Sequence, residues 1–309
     1  MILLVAKQIT EVIVKNNNIV EYTKHDPALA RMSIFRPISK GARTNKTLDV
    51  SLDYNNVNIR VQSMELLDAR DQTILLALIA MANMQKEKIS INNDSTNEIE
   101  KELWNRLSTF PSTEGNSIAF YTSFYRIMKI CNLDTCGKSY KLVEESLLRL
   151  AKTNITIKMG RSTVVTRLIA SLSFNEKADI AIAINPRIAE AITGQYIIIN
   201  IEQRNLLKND TAKILYSYLS SVINEGNKIP YKANITTLIE KTWGEEYESN
   251  STGRGRKKQI KDSIEAISVL PGWKIKLNKD VYSIIRERIN HFIPKIEIEV
   301  DRQKKQLVL

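Results

Sequence analysis

The stretch RGRKKQIKDSIEAISVLPGWKIKL, running from Arg254 to Leu277, decides how the chain is read. Arg254, Arg256, Lys257, Lys258 and Lys261 place five cations within eight residues, with no acid among them. Ile260, Ile264 and Ile267 follow at helical spacing, so the pattern predicts a helix over Arg256–Leu270 that Pro271-Gly272 stops. Trp273-Lys274-Ile275-Lys276-Leu277 and Val281–Ile285 then alternate around Asn278-Lys279-Asp280, as a β-hairpin does. Cations at a helix start stand at the wrong end for the helix dipole, which favours anions there. The placement becomes favourable when a phosphate arrives. In helix-turn-helix proteins the N-terminal part of the second helix enters the major groove. Arg can then pair with guanine edges while Lys mostly neutralises phosphate. Gly253 and Gly255 leave room for the duplex backbone. A solvated basic face is the plainer reading of such a run; position, local charge and the following hairpin favour DNA.

Working outward, Asp210–Ile223 reads as an amphipathic helix with Leu215, Tyr218, Leu219 and Val222 inward, Ile235–Thr242 as a short helix, and 244–255 as a loop. The earlier half carries a related order. Leu67–Met84 is an apolar core helix with Asp68 at its start, and Tyr121–Ile130 and Ser139–Lys152 follow as helices. Ile155-Thr156-Ile157, Val164–Leu172 and Ile180–Ile184 are β-type, and the turn Met159-Gly160-Arg161-Ser162 joins the first pair. Val143, Leu147 and Leu150 repeat the spacing of Ile260, Ile264 and Ile267. Helix, helix, then a hairpin with a basic tip is the winged-helix order. The expected fold is therefore α+β, with two winged-helix domains in tandem. Residues 1–24 form an arm, 25–190 the first domain and 191–309 the second. The join falls around Pro186–Leu206, where Ile197-Ile198-Ile199 reads as buried strand. Leu48–Leu52 and Val57–Val61 flank a turn at Asn55-Asn56, and the polar 85–117 segment is a loop or insertion.

The first domain offers Lys138, Ser139, Tyr140 and Lys141 at the start of its second helix, a weaker set because Glu144 and Glu145 follow. The hairpins add Lys158, Arg161 and Arg167 in the first domain, and Lys274, Lys276 and Lys279 in the second. Solvated strand edges compete evenly with DNA contact for these residues.

Composition narrows the chemistry. The 309 residues carry 45 Lys and Arg against 34 Asp and Glu, a net charge of +11 and a pI near 9.4, which favours a polyanionic partner. Cys131 and Cys136 are the only cysteines, and His25 and His291 the only histidines. A disulfide framework, a zinc site and the paired-histidine metal site of a nicking enzyme are thereby disfavoured. Gly137-Lys138-Ser139 imitates the end of a phosphate-binding loop, but Asn132 stands where the upstream glycine should be. Neither a nucleophile elbow nor an acid cluster for two metals is present. No enzyme activity, cofactor or metal is expected. No apolar run approaches the ~20 residues of a membrane span, and the start ending at Lys7 is not a signal peptide, so a cytoplasmic protein is expected.

Against this background, His25-Asp26-Pro27-Ala28, Phe35-Arg36, Lys40-Gly41 and Leu48-Asp49-Val50 with Asp53-Tyr54 resemble the iteron-binding replication initiators of the IncQ plasmids, the RepC family. The resemblance continues through Leu75–Ala82, through Ile182-Ala183-Ile184-Asn185-Pro186 with Ile188-Ala189 and Ala191, and into Arg256-Lys257-Lys258 and Gly272-Trp273. It spans about His25 to Ile285 and departs in 1–24 and 85–117. It implies two winged-helix domains on direct repeats of double-stranded DNA at a plasmid origin, opening of a neighbouring AT-rich tract, and recruitment of the plasmid's helicase and primase. A homodimer is left open. A winged-helix transcriptional repressor is the alternative; a nicking or priming enzyme and a non-specific RNA-binding or structural protein stand further off.

Overall fold

The computed structural model describes residues 21–38, 43, 46–84, 89–90, 118–174, 179–185, 196–244 and 250–289. Most of the expected arm, all of the 85–117 segment except Ile89-Ser90, and 186–195 of the expected join lie outside the described residues. The described chain is a mixed α+β protein.

The C-terminal half begins with α6 (Asp210–Val222), the helix expected over Asp210–Ile223. Strand β11 (Tyr231–Asn234) runs directly into α7 (Ile235–Trp243). Asn234 makes that abrupt change possible: its side-chain oxygen accepts the Thr237 N–H at 2.7 Å, a side-chain cap on an otherwise orphan donor. Gly244, at φ 70°, ends α7 in the left-handed conformation that costs glycine little. Helix α8 (Asn250–Ser268) buries Ile260, Ser263, Ile264 and Ile267, and β12 (Trp273–Asn278) and β13 (Val281–Arg286) form the expected hairpin. The sheet order is β11-β13-β12, so the strand before α7 pairs with the last strand, not with the next one.

The N-terminal half repeats this plan. Helix α2 (Ala69–Met84) starts in a reciprocal cap: Asp68 Oδ1 accepts the Asp71 N–H at 3.0 Å and Asp71 Oδ2 accepts the Asp68 N–H at 2.9 Å. Strand β5 (Ile118–Ser123) passes directly into α3 (Phe124–Ile130), with Ser123 Oγ accepting the Arg126 N–H at 3.3 Å. Residues 121–123, expected at the start of a helix, are therefore the end of a strand. Helix α4 (Gly137–Lys152) buries Val143, Leu147 and Leu150, and the hairpin of β8 (Ile169–Phe174) and β9 (Asp179–Ile184) closes the unit. With β4 (Ile89–Ser90) at its edge the sheet runs β4-β5-β9-β8, so β5, β9 and β8 stand as β11, β13 and β12 do.

The expected counterpart of the C-terminal hairpin changes. The sequence pattern equates the strands around Met159-Gly160-Arg161-Ser162 with the C-terminal hairpin. Those strands, β6 (Asn154–Met159) and β7 (Ser162–Arg167), do form a hairpin, but they extend β2 (Leu48–Tyr54) and β3 (Val57–Ser63) into a separate sheet of order β2-β3-β6-β7. Their hairpin is inserted between α4 and β8. The run expected as one strand over Val164–Leu172 breaks at buried Leu168, where the chain passes from one sheet to the next. Asn55 and Asn56, at φ 51° and 63°, supply the β2–β3 turn with the two positive-φ residues that a type I′ hairpin requires.

Two hydrophobic clusters make up most of the core. One centres on α2, α3, α4 and the N-terminal sheets, the other on α6, α7, α8 and the C-terminal sheet. Leu76 and Ala80 of α2 belong to the second cluster and Ile214 of α6 to the first, so α2 and α6 press the halves together. Strand β1 (Tyr22–His25) pairs with β10 (Ile197–Asn200), in which Ile197 and Ile199 are buried as expected but Ile198 is exposed, because successive side chains of a strand face opposite ways. After β1 the chain forms α1 (Pro27–Arg31), capped by Asp26, in a stretch the pattern leaves as loop. Helix α5 (Ile201–Leu206) follows β10 and carries Arg204 into the space between α2 and α6.

Candidate nucleic-acid interface

Helix α8 starts at Asn250, not at Arg256. Gly253 and Gly255 are weak helix formers, but both lie inside the helix, and Gly253 is buried. Tertiary burial outweighs a propensity cost of about 1 kcal/mol per glycine. The five cations therefore occupy the second and third turns. Arg254, Lys257, Lys258 and Lys261 are exposed and recur every three or four residues, which puts them on one side of the helix, away from buried Ile260, Ile264 and Ile267. No ion pair neutralises these four among the described residues. Arg256 differs. It is half-buried, and its guanidinium lies 5.2 Å from the Trp243 ring centroid, a cation–π contact that ties α8 to α7.

The β12–β13 hairpin carries Lys274, Lys276 and Lys279, all exposed. Lys279 sits in the turn at φ 54°, and Lys276 pairs across the hairpin with Ser283. Lys274 is already engaged, its ammonium 2.5 Å from Glu287. Lys276 and Lys279 thus have the freer charges.

In α4 the set divides in the same way. Lys138 and Lys141 are exposed on one side of the helix. Tyr140 is half-buried with its ring 5.8 Å from that of Phe124, and Ser139 Oγ lies 3.4 Å from Cys136 Sγ. The exposed Cys136 thiol is held below its ordinary range, chiefly by the Ser139 hydroxyl. Lys158 and Arg161 are exposed at the tip of β6–β7, and Arg167 is exposed near the end of β7. These three belong to the inserted hairpin and not to β8–β9, the topological counterpart of β12–β13. The residues of the β8–β9 turn lie outside the described residues.

The sequence places the join around Pro186–Leu206 but gives no sign of the polar network that holds it. Arg204 is fully buried and donates to Ser217 Oγ at 2.9 Å, Thr73 Oγ1 at 2.6 Å, Gln72 Oε1 at 2.7 Å and the Ala69 carbonyl at 3.2 Å. Arg31 donates to the Ser221 carbonyl and Ser33 to the Lys241 carbonyl, adding further bonds between the halves. Relative orientation is thus fixed by buried polar contacts as well as by apolar packing. Nothing in the local pattern of Ile201–Leu206 marks Arg204 as buried, because three of its four partners, Ala69, Gln72 and Thr73, lie more than a hundred residues away.

Among the described residues no group of three His, Cys, Asp or Glu side chains is placed to hold a metal ion, and no helix is long and apolar enough to cross a membrane. A sequence model of the family Replication protein C (RepC) matches residues 17–288. The chain belongs to that family. Among solved structures, two crystal structures of domains 2 and 3 of RctB are similar to it. A selenomethionine derivative shares 11% identity at a TM-score of 0.48, covering 81% of this chain and 94% of that one. The other shares 11% at 0.47, covering 84% and 97%. No curated protein sequence matches the chain. The match to the RepC family takes in the exposed cations of both α4 and α8.

Proposed function

We propose that this protein is an origin-binding replication initiator that holds double-stranded DNA through two winged-helix units in tandem. The units are 25–190 and 191–309, and residues 1–24 form an arm. The observation that carries the reading is the repeated plan. In a member of the Replication protein C family, each half runs helix, strand, helix, helix, hairpin, with its first strand paired to its last. In each, the third helix of the plan presents exposed cations: Lys138 and Lys141 on α4, and Arg254, Lys257, Lys258 and Lys261 on α8. On this reading α8 lies in or beside the major groove, the β12–β13 hairpin tracks the backbone with Lys276 and Lys279, and α4 makes the lesser contact. Lys158 and Arg161 reach DNA from the inserted hairpin.

The target is a set of direct repeats at a plasmid origin. Binding there opens a neighbouring AT-rich tract for the plasmid's helicase and primase, in the cytoplasm. The protein acts by binding and not as an enzyme, a view supported by the missing catalytic and nucleotide motifs in its sequence. The test is a footprint on the DNA that flanks its own gene, followed by permanganate probing of the same DNA in a supercoiled plasmid. Protected repeats with reactive thymines beside them are expected. Protection with no reactive thymines would favour the repressor reading, and no protection at all would overturn both.

A further inference from the structure

The joint between the two units contains more positive charge than its own fold neutralises. Arg204 is 1% exposed, and all four of its hydrogen-bond partners are neutral. Buried charges are ordinarily paired, because desolvation is costly unless an opposite charge repays it. At the start of α2 the acids are committed elsewhere, Asp71 bridged by Arg43 and by Arg149 at 2.9 Å and Asp68 by Arg43, so the acid that acts on Arg204 is exposed Asp210 at the start of α6. Lys213 of α6 is half-buried one turn before Ser217, whose hydroxyl accepts from Arg204 and donates to the Lys213 carbonyl. Arg70 follows Ala69, whose carbonyl accepts from Arg204, and Lys213 has no ion pair among the described residues. Burial first, then Arg204, and more weakly Arg70, push its ammonium below the ordinary lysine range, while Asp210 opposes them.

The position of this charge matters as much as its sign. On one side Asn205 of α5 donates to the Ile130 carbonyl at 3.2 Å, which sets the joint against the turn that leads into α4. On the other, Thr211 of α6 donates to Gln259 Oε1 at 3.0 Å, between Lys258 and Lys261 along α8. The seam thus adjoins both the turn before α4 and α8 itself. We propose that Arg70 and Lys213, backed by the buried guanidinium of Arg204, form a phosphate-binding site for the DNA backbone at the seam between the two units. The inference rests on the DNA-binding reading above and adds a site to it. A phosphate would add the counter-charge that Asp210 alone does not supply to three cations, and phosphate contacts contribute affinity without sequence preference. It would also report correct seating on both units at once.

The test uses the full chain with Arg70→Gln and Lys213→Gln together, titrated by fluorescence anisotropy against a labelled duplex from its flanking DNA and a scrambled duplex of equal length. An α8 variant, Arg254→Gln with Lys258→Gln, runs beside it. The slope of log affinity against log salt should fall by about one to two units, at roughly 0.9 per lost phosphate contact, and affinity should fall by the same factor on both duplexes. Lys213→Arg should keep the wild-type slope. The thermal midpoint should hold or rise, since a desolvated, repelling cation is removed. An unchanged slope in the seam variant beside a reduced one in the α8 variant would overturn this inference and leave the DNA-binding reading standing. Unchanged slopes in both would overturn that reading and the seam with it. A lowered midpoint with an unchanged slope would mark Lys213 as purely structural and also overturn the inference.

Discussion

Changing Arg254, Lys257, Lys258 and Lys261 of α8 to glutamine removes four exposed cations from one side of a helix whose other side buries Ile260, Ile264 and Ile267. The loss should fall on DNA binding and leave folding alone. None of the four has an ion-pair partner among the described residues, so no acid is stranded by the change. They stand beyond the first turn, where the helix dipole acts most strongly, so stability should move by no more than a few tenths of a kcal/mol. If each meets one phosphate, the salt slope drops by about 3.6 units, at roughly 0.9 per contact. Over a fourfold rise in salt, from about 50 to 200 mM, the wild type should then lose roughly 150-fold more affinity than the variant. The assay is an anisotropy titration on a single duplex at three salt concentrations, with circular dichroism to confirm the fold. A folded variant with the wild-type slope would refute the assignment of α8 to DNA. A drop near one unit would mean that a single cation reaches the backbone.

Three further outcomes follow from the interior. Asp71 is fully buried between Arg43 and Arg149, so Asp71→Ala should cost about 3–5 kcal/mol in a denaturant titration by leaving the Arg149 guanidinium without a carboxylate, while Arg43 keeps Asp68; a loss under about 1 kcal/mol would mean that the network contributes little. Burial pushes His25 down to about 4, below its ordinary 6.5, with Asp26 opposing. Its folded-state value is lowered, so the unfolded chain takes up a proton that the folded one refuses as pH falls. Wild-type stability should drop by about 3 kcal/mol more than that of His25→Gln between pH 6.5 and pH 4, and parallel stability curves would contradict this. Burial drives the Cys131 thiol up to about 12, whereas exposed Cys136 is held low by Ser139. Mass spectrometry after brief iodoacetamide treatment at neutral pH should find one label, on Cys136, and two once the chain is unfolded; rapid double labelling of the native protein would contradict the burial.

The sequence by itself determined which residues face inward and where the charge gathers. Val143, Leu147 and Leu150, like Ile260, Ile264 and Ile267, stand at helical spacing, and that period alone commits one side of each helix to burial. The hairpin around Lys279 and the turn at Asn55-Asn56 were legible for a similar reason, because alternation and turn chemistry act between neighbours in the chain. The run at Arg254–Lys261 marked the basic helix, and the His25–Pro27 block marked the family.

Partner choice across long separations was decided only in three dimensions. Alternation shows that β6, β7, β8 and β9 are strands but not which strand each one pairs with. The division into β2-β3-β6-β7 and β4-β5-β9-β8 therefore emerges only when helices and sheets pack. The start of α8 moved to Asn250 because burial of Gly253 outweighs the local preference of glycine. Arg256 and Tyr140 read as free contacts until Trp243 and Phe124 are brought against them. Arg204 is the clearest case. An arginine in a short polar stretch looks solvated, and only the packing of α2 against α6 withdraws it from water and surrounds it with neutral acceptors. Periodicity is a property of neighbours in sequence, whereas desolvation belongs to neighbours in space.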